Sequence, residues 1–180
     1  MQRKCWYLVD HACINVQSGA AAECQVINMK RVSLDLLAGK TETGQNVYET
    51  LPANHLGDDT YQVQVSPALV LGLARDDIIK LSLQNGCFTV IHHSGNICVQ
   101  IYLLNQLENV SDLLDQLLSE GALFDGISKD ILVITYPISR GFSTIEKSVA
   151  KIALNLKAQE WFFGNVYDPK DGVTPLEWWA

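Results

Sequence analysis

Ser66-Pro-Ala-Leu-Val-Leu-Gly-Leu-Ala-Arg-Asp-Asp-Ile-Ile-Lys-Leu81 is the stretch on which the reading of this chain turns. A proline opens an apolar segment, Gly72 breaks it, and two adjacent aspartates run straight into Ile78-Ile-Lys-Leu81. Paired carboxylates at a strand entrance are turn chemistry, because short acidic side chains bond to nearby backbone N–H groups. The stretch therefore speaks of architecture more than of catalysis.

Working outward, Thr60-Tyr-Gln-Val-Gln-Val65 alternates, which places Tyr61, Val63 and Val65 on one face of a strand. Ile78–Leu83 and Cys87–Ile91 flank Gln84-Asn-Gly86, and Asn-Gly is a strong hairpin signal. Val47–Leu51 reads as a strand and 54–59 as turn material, so residues 47–93 form an antiparallel β unit. Before it, Trp6–Val9, Ile14–Val16 and Cys24–Ile27 are strand-like. Val32, Leu34, Leu36 and Leu37 suggest a short helix closed by Gly39, and the polar run 40–46 suggests a loop. This gives an N-terminal region over 1–46.

Residues 94–180 alternate strand and helix. Ile97–Leu104 is apolar enough for a central strand. Val110–Leu118 is an amphipathic helix stopped by Gly121, and Ile131–Tyr136 is a buried strand ended by Pro137. Ser143-Thr-Ile-Glu146 has the form of a capping box, and Ile145, Val149, Ile152, Ala153 and Leu156 continue a helical period. Trp161–Val166 returns as a strand. The expected class is α+β: an antiparallel β unit followed by a ferredoxin-like α/β sandwich with helices on one face. Val99, Ile101, Val133, Leu114, Leu117, Val149 and Ile152 are its expected core.

With these elements placed, residues from about Val47 to Tyr167 resemble a bacterial domain-of-unknown-function family. The resemblance is carried by Glu49-Thr-Leu51, by Tyr61 through Pro67, and by a Gly-(Leu/Ile)-Ala-x-Gly-Asp-x-(Val/Ile) motif matched at Gly72-Leu-Ala-Arg-Asp-Asp-Ile-Ile79. Further matches are Ser94-Gly-Asn-Ile97, the helix-ending Gly121, Ile131 to Pro137, and Glu160-Trp-Phe-Phe163. The departure is Asp76, where the pattern has glycine, so either the turn differs or Asp76 accepts a dihedral that glycine favours. The resemblance implies a two-part fold without enzymatic activity, of the kind seen in small accessory or immunity proteins.

Composition narrows the function. The 180 residues are 48% apolar and 18% charged, which suits a folded chain with one substantial core. Charged or polar residues interrupt every apolar run well short of the roughly 20 residues a membrane span needs. The start lacks the apolar stretch of about 7–15 residues of a signal peptide. A cytoplasmic location is expected. Five irregularly spaced cysteines fit a reducing compartment better than a disulfide framework. The net charge of −7 is concentrated in the second half, where Glu108, Asp112, Asp115, Glu120, Asp125 and Asp130 face only Lys129 between residues 105 and 130. That sign argues against nucleic acid and favours a basic protein partner.

Glu108, Asp112 and Asp115 fall on one face of the expected helix, opposite Val110, Leu113, Leu114, Leu117 and Leu118. With Glu120 they are the candidate docking residues, against the plainer reading of a solvated outer face. Trp178 and Trp179 are the other candidates, as aromatic anchors or as lids folded over a core edge. His92, His93, Cys87 and Cys98 match no metal-ligand spacing, nor do Cys5, His11, Cys13 and Cys24. No nucleophile elbow, P-loop or dinucleotide fingerprint occurs. No catalytic residue, metal or cofactor is therefore expected. The leading expectation is an immunity protein that occludes a cognate basic, nuclease-like toxin. The alternative is a small-ligand regulatory domain with a cleft between its two units.

Overall fold

The structure is a computed structural model that describes residues 30–82, 84–105 and 110–180. The strands expected before residue 30 lie outside the described residues.

Val32, Leu34 and Leu36 recur at every second residue, and that period builds a strand, β1 (Lys30–Lys40), with Leu34 and Leu36 buried. The short helix expected over these residues is corrected to this strand: a period of two suits a pleat, and a neighbouring strand supplies the backbone partners. That neighbour is β2 (Asn46–Gly57), paired antiparallel from Lys30↔His55 to Lys40↔Asn46. The polar run at 40–46 is the hairpin turn between them, closed by Thr41 N–H donating to the Gln45 carbonyl at 2.8 Å. β2 continues through residues expected to turn, and the chain reverses only at Asp58-Asp59, with Asp58 at φ 46°.

β3 (Thr60–Val63), β4 (Ile78–Leu81) and β5 (Phe88–His92) complete a five-stranded meander in the order β1-β2-β3-β4-β5. The Asn85-Gly86 turn joins the last pair. Leu37 N–H donates to the Gly86 carbonyl at 2.9 Å, so the first strand meets the last hairpin and the sheet curls around its core. Leu36, Val63, Leu73 and Ile79 are completely buried in that core.

The second unit runs β6 (Asn96–Leu103), α1 (Val110–Ser119), β7 (Leu123–Ser128), β8 (Ile131–Pro137), α2 (Phe142–Asn155) and β9 (Ala158–Phe163). Its four strands are antiparallel in the order β7-β8-β6-β9, so the class is α+β with β6 and β8 central. The sheet has one strand more than the three expected. β7 reads Leu-Phe-Asp-Gly-Ile-Ser, where a bulge between Phe124 and Gly126 destroys the alternation that would have marked it.

Both helices pack on one face of this sheet. Leu113 and Leu117 of α1 and Ile145, Val149 and Ile152 of α2 join Ile97, Val99, Ile101, Leu132, Ile134 and Tyr136 in one core. Leu114, expected there, is only half-buried, and Leu118 stays 68% exposed; α1 instead sinks Leu113 and Leu117. The capping box at Ser143–Glu146 is also corrected. α2 begins at Phe142 with Gly141 as N-cap and no side-chain cap, because the 3-10 turn at Ile138–Arg140 delivers the chain two residues early. Among the described residues no helix is long and apolar enough to cross a membrane.

The helix-free face of the same sheet is covered by the loop between β3 and β4, residues 66–77. Ala68 and Ala74 of that loop pack on Cys98, Ile131 and Val133, while its Val70 and Leu73 fill the core of the first sheet. β6 and β8 read as unbroken buried runs because both their faces are covered.

Asp76, standing where the family pattern has glycine, has φ 66° and donates its N–H to the Val63 carbonyl at 2.9 Å. The turn is kept and aspartate adopts the left-handed conformation, which it tolerates better than most side chains. Asp76→Gly should leave stability unchanged or raise it by up to about 1 kcal/mol, whereas Asp76→Val should cost more than about 1 kcal/mol in urea unfolding. Equal stability of both variants would contradict the backbone argument. Leu117, 1% exposed, should cost about 2–5 kcal/mol on truncation to alanine, against under about 0.5 kcal/mol for Leu118→Ala.

Candidate functional site

The loop at 66–77 lies between the two sheets, and a dense polar network surrounds it. Glu49 on β2 accepts the backbone N–H groups of Ala68, Leu69 and Val70 at 2.7, 2.8 and 2.9 Å. Arg75 N–H donates to Ser66 Oγ at 2.9 Å, and Ser66 and Thr135 hydroxyls meet at 2.6 Å. Thr135 commits its proton to Asp125 Oδ2, which leaves Ser66 as donor to Thr135. Asp125 Oδ1 then binds the Arg75 guanidinium through Nε at 2.8 Å and a terminal nitrogen at 2.7 Å. The circuit closes on the residue where it began.

Asp77 is fully buried at the far end of the loop. It accepts Ala74 N–H at 2.9 Å, Ser94 N–H at 2.8 Å and the Ser94 hydroxyl at 3.0 Å, and its Oδ2 lies 3.4 Å from His93 Nδ1. Burial pushes the Asp77 and Asp125 carboxyls above the ordinary carboxylate value, with their hydrogen bonds offsetting part of the rise. Burial likewise holds the Cys98 thiol far above its usual range, in its neutral form. These groups hold backbone in place. Asp77 acts in the turn chemistry read from the sequence, with three donors already on its carboxylate.

The sequence-expected docking residues separate in space. Asp112 and Asp115 are exposed on α1, and Glu108 lies outside the described residues. Glu120 belongs elsewhere: its carboxylate meets Lys151 Nζ at 2.8 Å and accepts the Ser148 hydroxyl at 3.1 Å, tying the end of α1 to α2. Tyr136 donates to that same Ser148 at 2.7 Å. The Lys151 and Ser148 bonds hold Glu120 below its ordinary value.

Trp178 and Trp179 fold back on the chain and are half-buried. Trp178 stacks on His93 with ring centres 4.8 Å apart and donates Nε1–H to the Asn165 carbonyl at 2.7 Å. Trp179 meets Phe142 edge-on at 5.1 Å. The tail thus bridges the segment after β5 and the second unit. Among the described residues no group of three His, Cys, Asp or Glu side chains is placed to hold a metal ion.

Two of the concavities in the surface border these elements. One, of about 360 Å³, lies between the units beside Tyr48, Leu69 and Ile127, with Asp125 at its wall. The other, about 400 Å³, runs beside β9 and is lined by Leu71, Tyr102, Phe162, Tyr167, Glu146 and Asp168 among others. Sequence reading missed it. Its signal was Trp161-Phe-Phe163, three consecutive aromatics, which a two-faced strand at a sheet edge cannot bury together.

Comparison with known proteins bears on this fold. The family model described as Domain of unknown function (DUF4265) matches residues 49–159, and the chain belongs to that family. The match spans Glu49, the 66–77 loop and the Asp77–Ser94 contact. A solved structure titled as a novel crystal structure of a hypothetical protein from Neisseria gonorrhoeae is similar, at 18% identity and a TM-score of 0.54. The likeness covers 76% of this chain and 94% of that one, and shows a shared fold. No curated protein matches the chain.

The lowered carboxyl of Glu120 has a definite pH consequence. Its stabilising contribution is complete above the ordinary value of 4.5 and is lost as pH falls through the lower folded-state value. Glu120→Gln should therefore narrow its stability gap to the wild type as pH drops below 4.5, measured by urea midpoints across acidic buffers. A gap that widens on acidification would contradict the Lys151 pairing.

Proposed function

We propose that this DUF4265 member is a non-enzymatic binding protein whose partner is a basic protein. One observation carries the reading: the carboxylates of Asp77 and Asp125 are buried, while Asp112 and Asp115 lie on the exposed side of a helix whose apolar side is buried. Acids in the first group hold the fold. Acids in the second contribute a negative surface to a chain of net charge −7, which attracts cationic proteins and repels nucleic acid. Complementary charge of this kind raises association toward about 10⁸–10⁹ M⁻¹s⁻¹ at low salt.

Within that class, we read the partner as a cationic antibacterial toxin and this chain as its cytoplasmic immunity protein. The acidic charge supports the reading. The β-α-β-β-α-β order with strands β7-β8-β6-β9 supports a ferredoxin-like second unit, a scaffold that presents helices on one face and strand edges at its sides. A second reading, a small-ligand regulatory domain, draws on the concavity between the units beside Tyr48, Leu69 and Ile127. It predicts a thermal shift with a metabolite and none with a protein.

Asp112→Lys combined with Asp115→Lys adds two charges at each position, taking the net charge from −7 to −3. The double variant should remain folded by circular dichroism, with a modest loss from the helix-dipole term at Asp112. Immobilised wild-type protein should retain a basic protein from a host extract, and stopped-flow association with that protein should slow strongly in the variant and lose its salt dependence. Retention of acidic proteins only, or unchanged association rates, would overturn the reading.

A further inference from the structure

The aromatic groove beside β9 has the makings of a recognition site. β9 ends its sheet, so the N–H and C=O groups on its outer side have no strand partner among the described residues. In an antiparallel strand these groups alternate, which leaves every second residue able to pair with an incoming chain. Along this edge Phe162 is 48% exposed, Leu71 43% and Tyr167 39%. Tyr102 packs edge-on against Phe162 at 5.7 Å, fixing a ring at the groove wall.

The charge of the groove is one-sided. Glu146 on α2 and Asp168 on the loop after β9 line it, and no Lys, Arg or His does among the described residues. Glu146 has no ion-pair partner among those residues, and Asp168 Oδ1 accepts only the Lys170 backbone N–H, at 2.9 Å. Carboxylates beside exposed aromatic rings favour a cation, through ion pairing and through attraction to the ring faces.

We propose that this groove binds an extended segment of the partner protein in which basic and apolar residues alternate, added as a strand along β9. This rests on the basic-partner reading and supplies its contact surface. Alternation follows from the strand: one row of side chains meets Phe162 and Leu71, and main-chain hydrogen bonds supply affinity that does not depend on sequence. A second copy of this chain is the wrong occupant, because it would bring the same carboxylates against Glu146 and Asp168.

The test uses isotope-labelled full-length protein and amide chemical shifts. The probes are a short peptide alternating arginine and valine, its glutamate–valine counterpart, and tetramethylammonium. The arginine peptide should shift amides of β9 and residues 167–172 saturably, and the glutamate peptide should not. Phe162→Ala and Glu146→Lys should each weaken the arginine peptide about tenfold. Glu146 is an exposed helix residue, so its variant keeps the test valid even where Phe162→Ala unfolds the protein.

Equal binding of both peptides, or shifts confined to other surfaces, overturns the proposal. So does tetramethylammonium matching the peptide in affinity, which would make this a small-cation site. Concentration-dependent β9 shifts without peptide would instead assign the edge to a second copy. Peptide binding lost in the Asp112→Lys, Asp115→Lys variant but kept in the groove variants sinks the groove and leaves the basic-partner reading standing. Peptide binding at β9 with no basic partner retained from extract sinks that reading and leaves the groove.

Discussion

The ring of hydrogen bonds through Arg75, Ser66, Thr135 and Asp125 is the constraint on which the rest of this molecule depends. It joins the loop between β3 and β4 to the edge strand β7 and the central strand β8, 50 and 69 residues later in the chain. A buried carboxylate is costly unless it is paired and hydrogen-bonded, and each member of this ring supplies what the next one needs. The network therefore fixes where the loop lies on the sheet. Breaking one member leaves a charge or a hydroxyl at depth without a partner, which penalises other placements of the loop on the sheet.

With the loop held there, the core of the first sheet closes and the helix-free face of the second is covered. Val70 and Leu73 close the curled first sheet, and Ala68 and Ala74 cover the helix-free face of the second. Small residues suit this position because the backbone comes close: Gly72 N–H reaches the Gly164 carbonyl at 2.7 Å, and a Cβ on Gly164 would meet Cys98 Sγ at 2.7 Å. Glu49, Asp77 and Asn165 then collect backbone groups that sheet pairing leaves over. Asn165 accepts from Cys98 N–H and donates to the Asn96 carbonyl, each at 2.9 Å. The acids of the interior hold the fold, and the acids of the surface supply its negative field.

The same geometry sets the surface proposed for a partner. Sheet order leaves β9 at an edge, and the loop at 66–77 ends beside it, so Leu71 and Phe162 share one groove. The helices cover the opposite face and present Asp112 and Asp115 outward. Trp178 and Trp179 pack on His93 and Phe142 in binding the tail to the body.

By itself the sequence determined the elements whose local signals agree with their surroundings. Alternation marked β3, Asn85-Gly86 marked the β4–β5 turn, unbroken apolar runs marked β6 and β8, and helical periods marked α1 and α2. The aspartate at a glycine position left two readings of the turn at residue 76, and its φ of 66° decides for the left-handed one. Tertiary structure decided what local signals could not carry. β7 exists because β8 offers it a hydrogen-bonding edge, although a bulge hides its period. Residues 32–37 became strand because β2 lies beside them. Glu120 left the acidic row because Lys151 and Ser148, some thirty residues later in the chain, fold against it. Burial, pairing and edge position arise from contacts between segments far apart in sequence, and no periodicity along one segment encodes its neighbours.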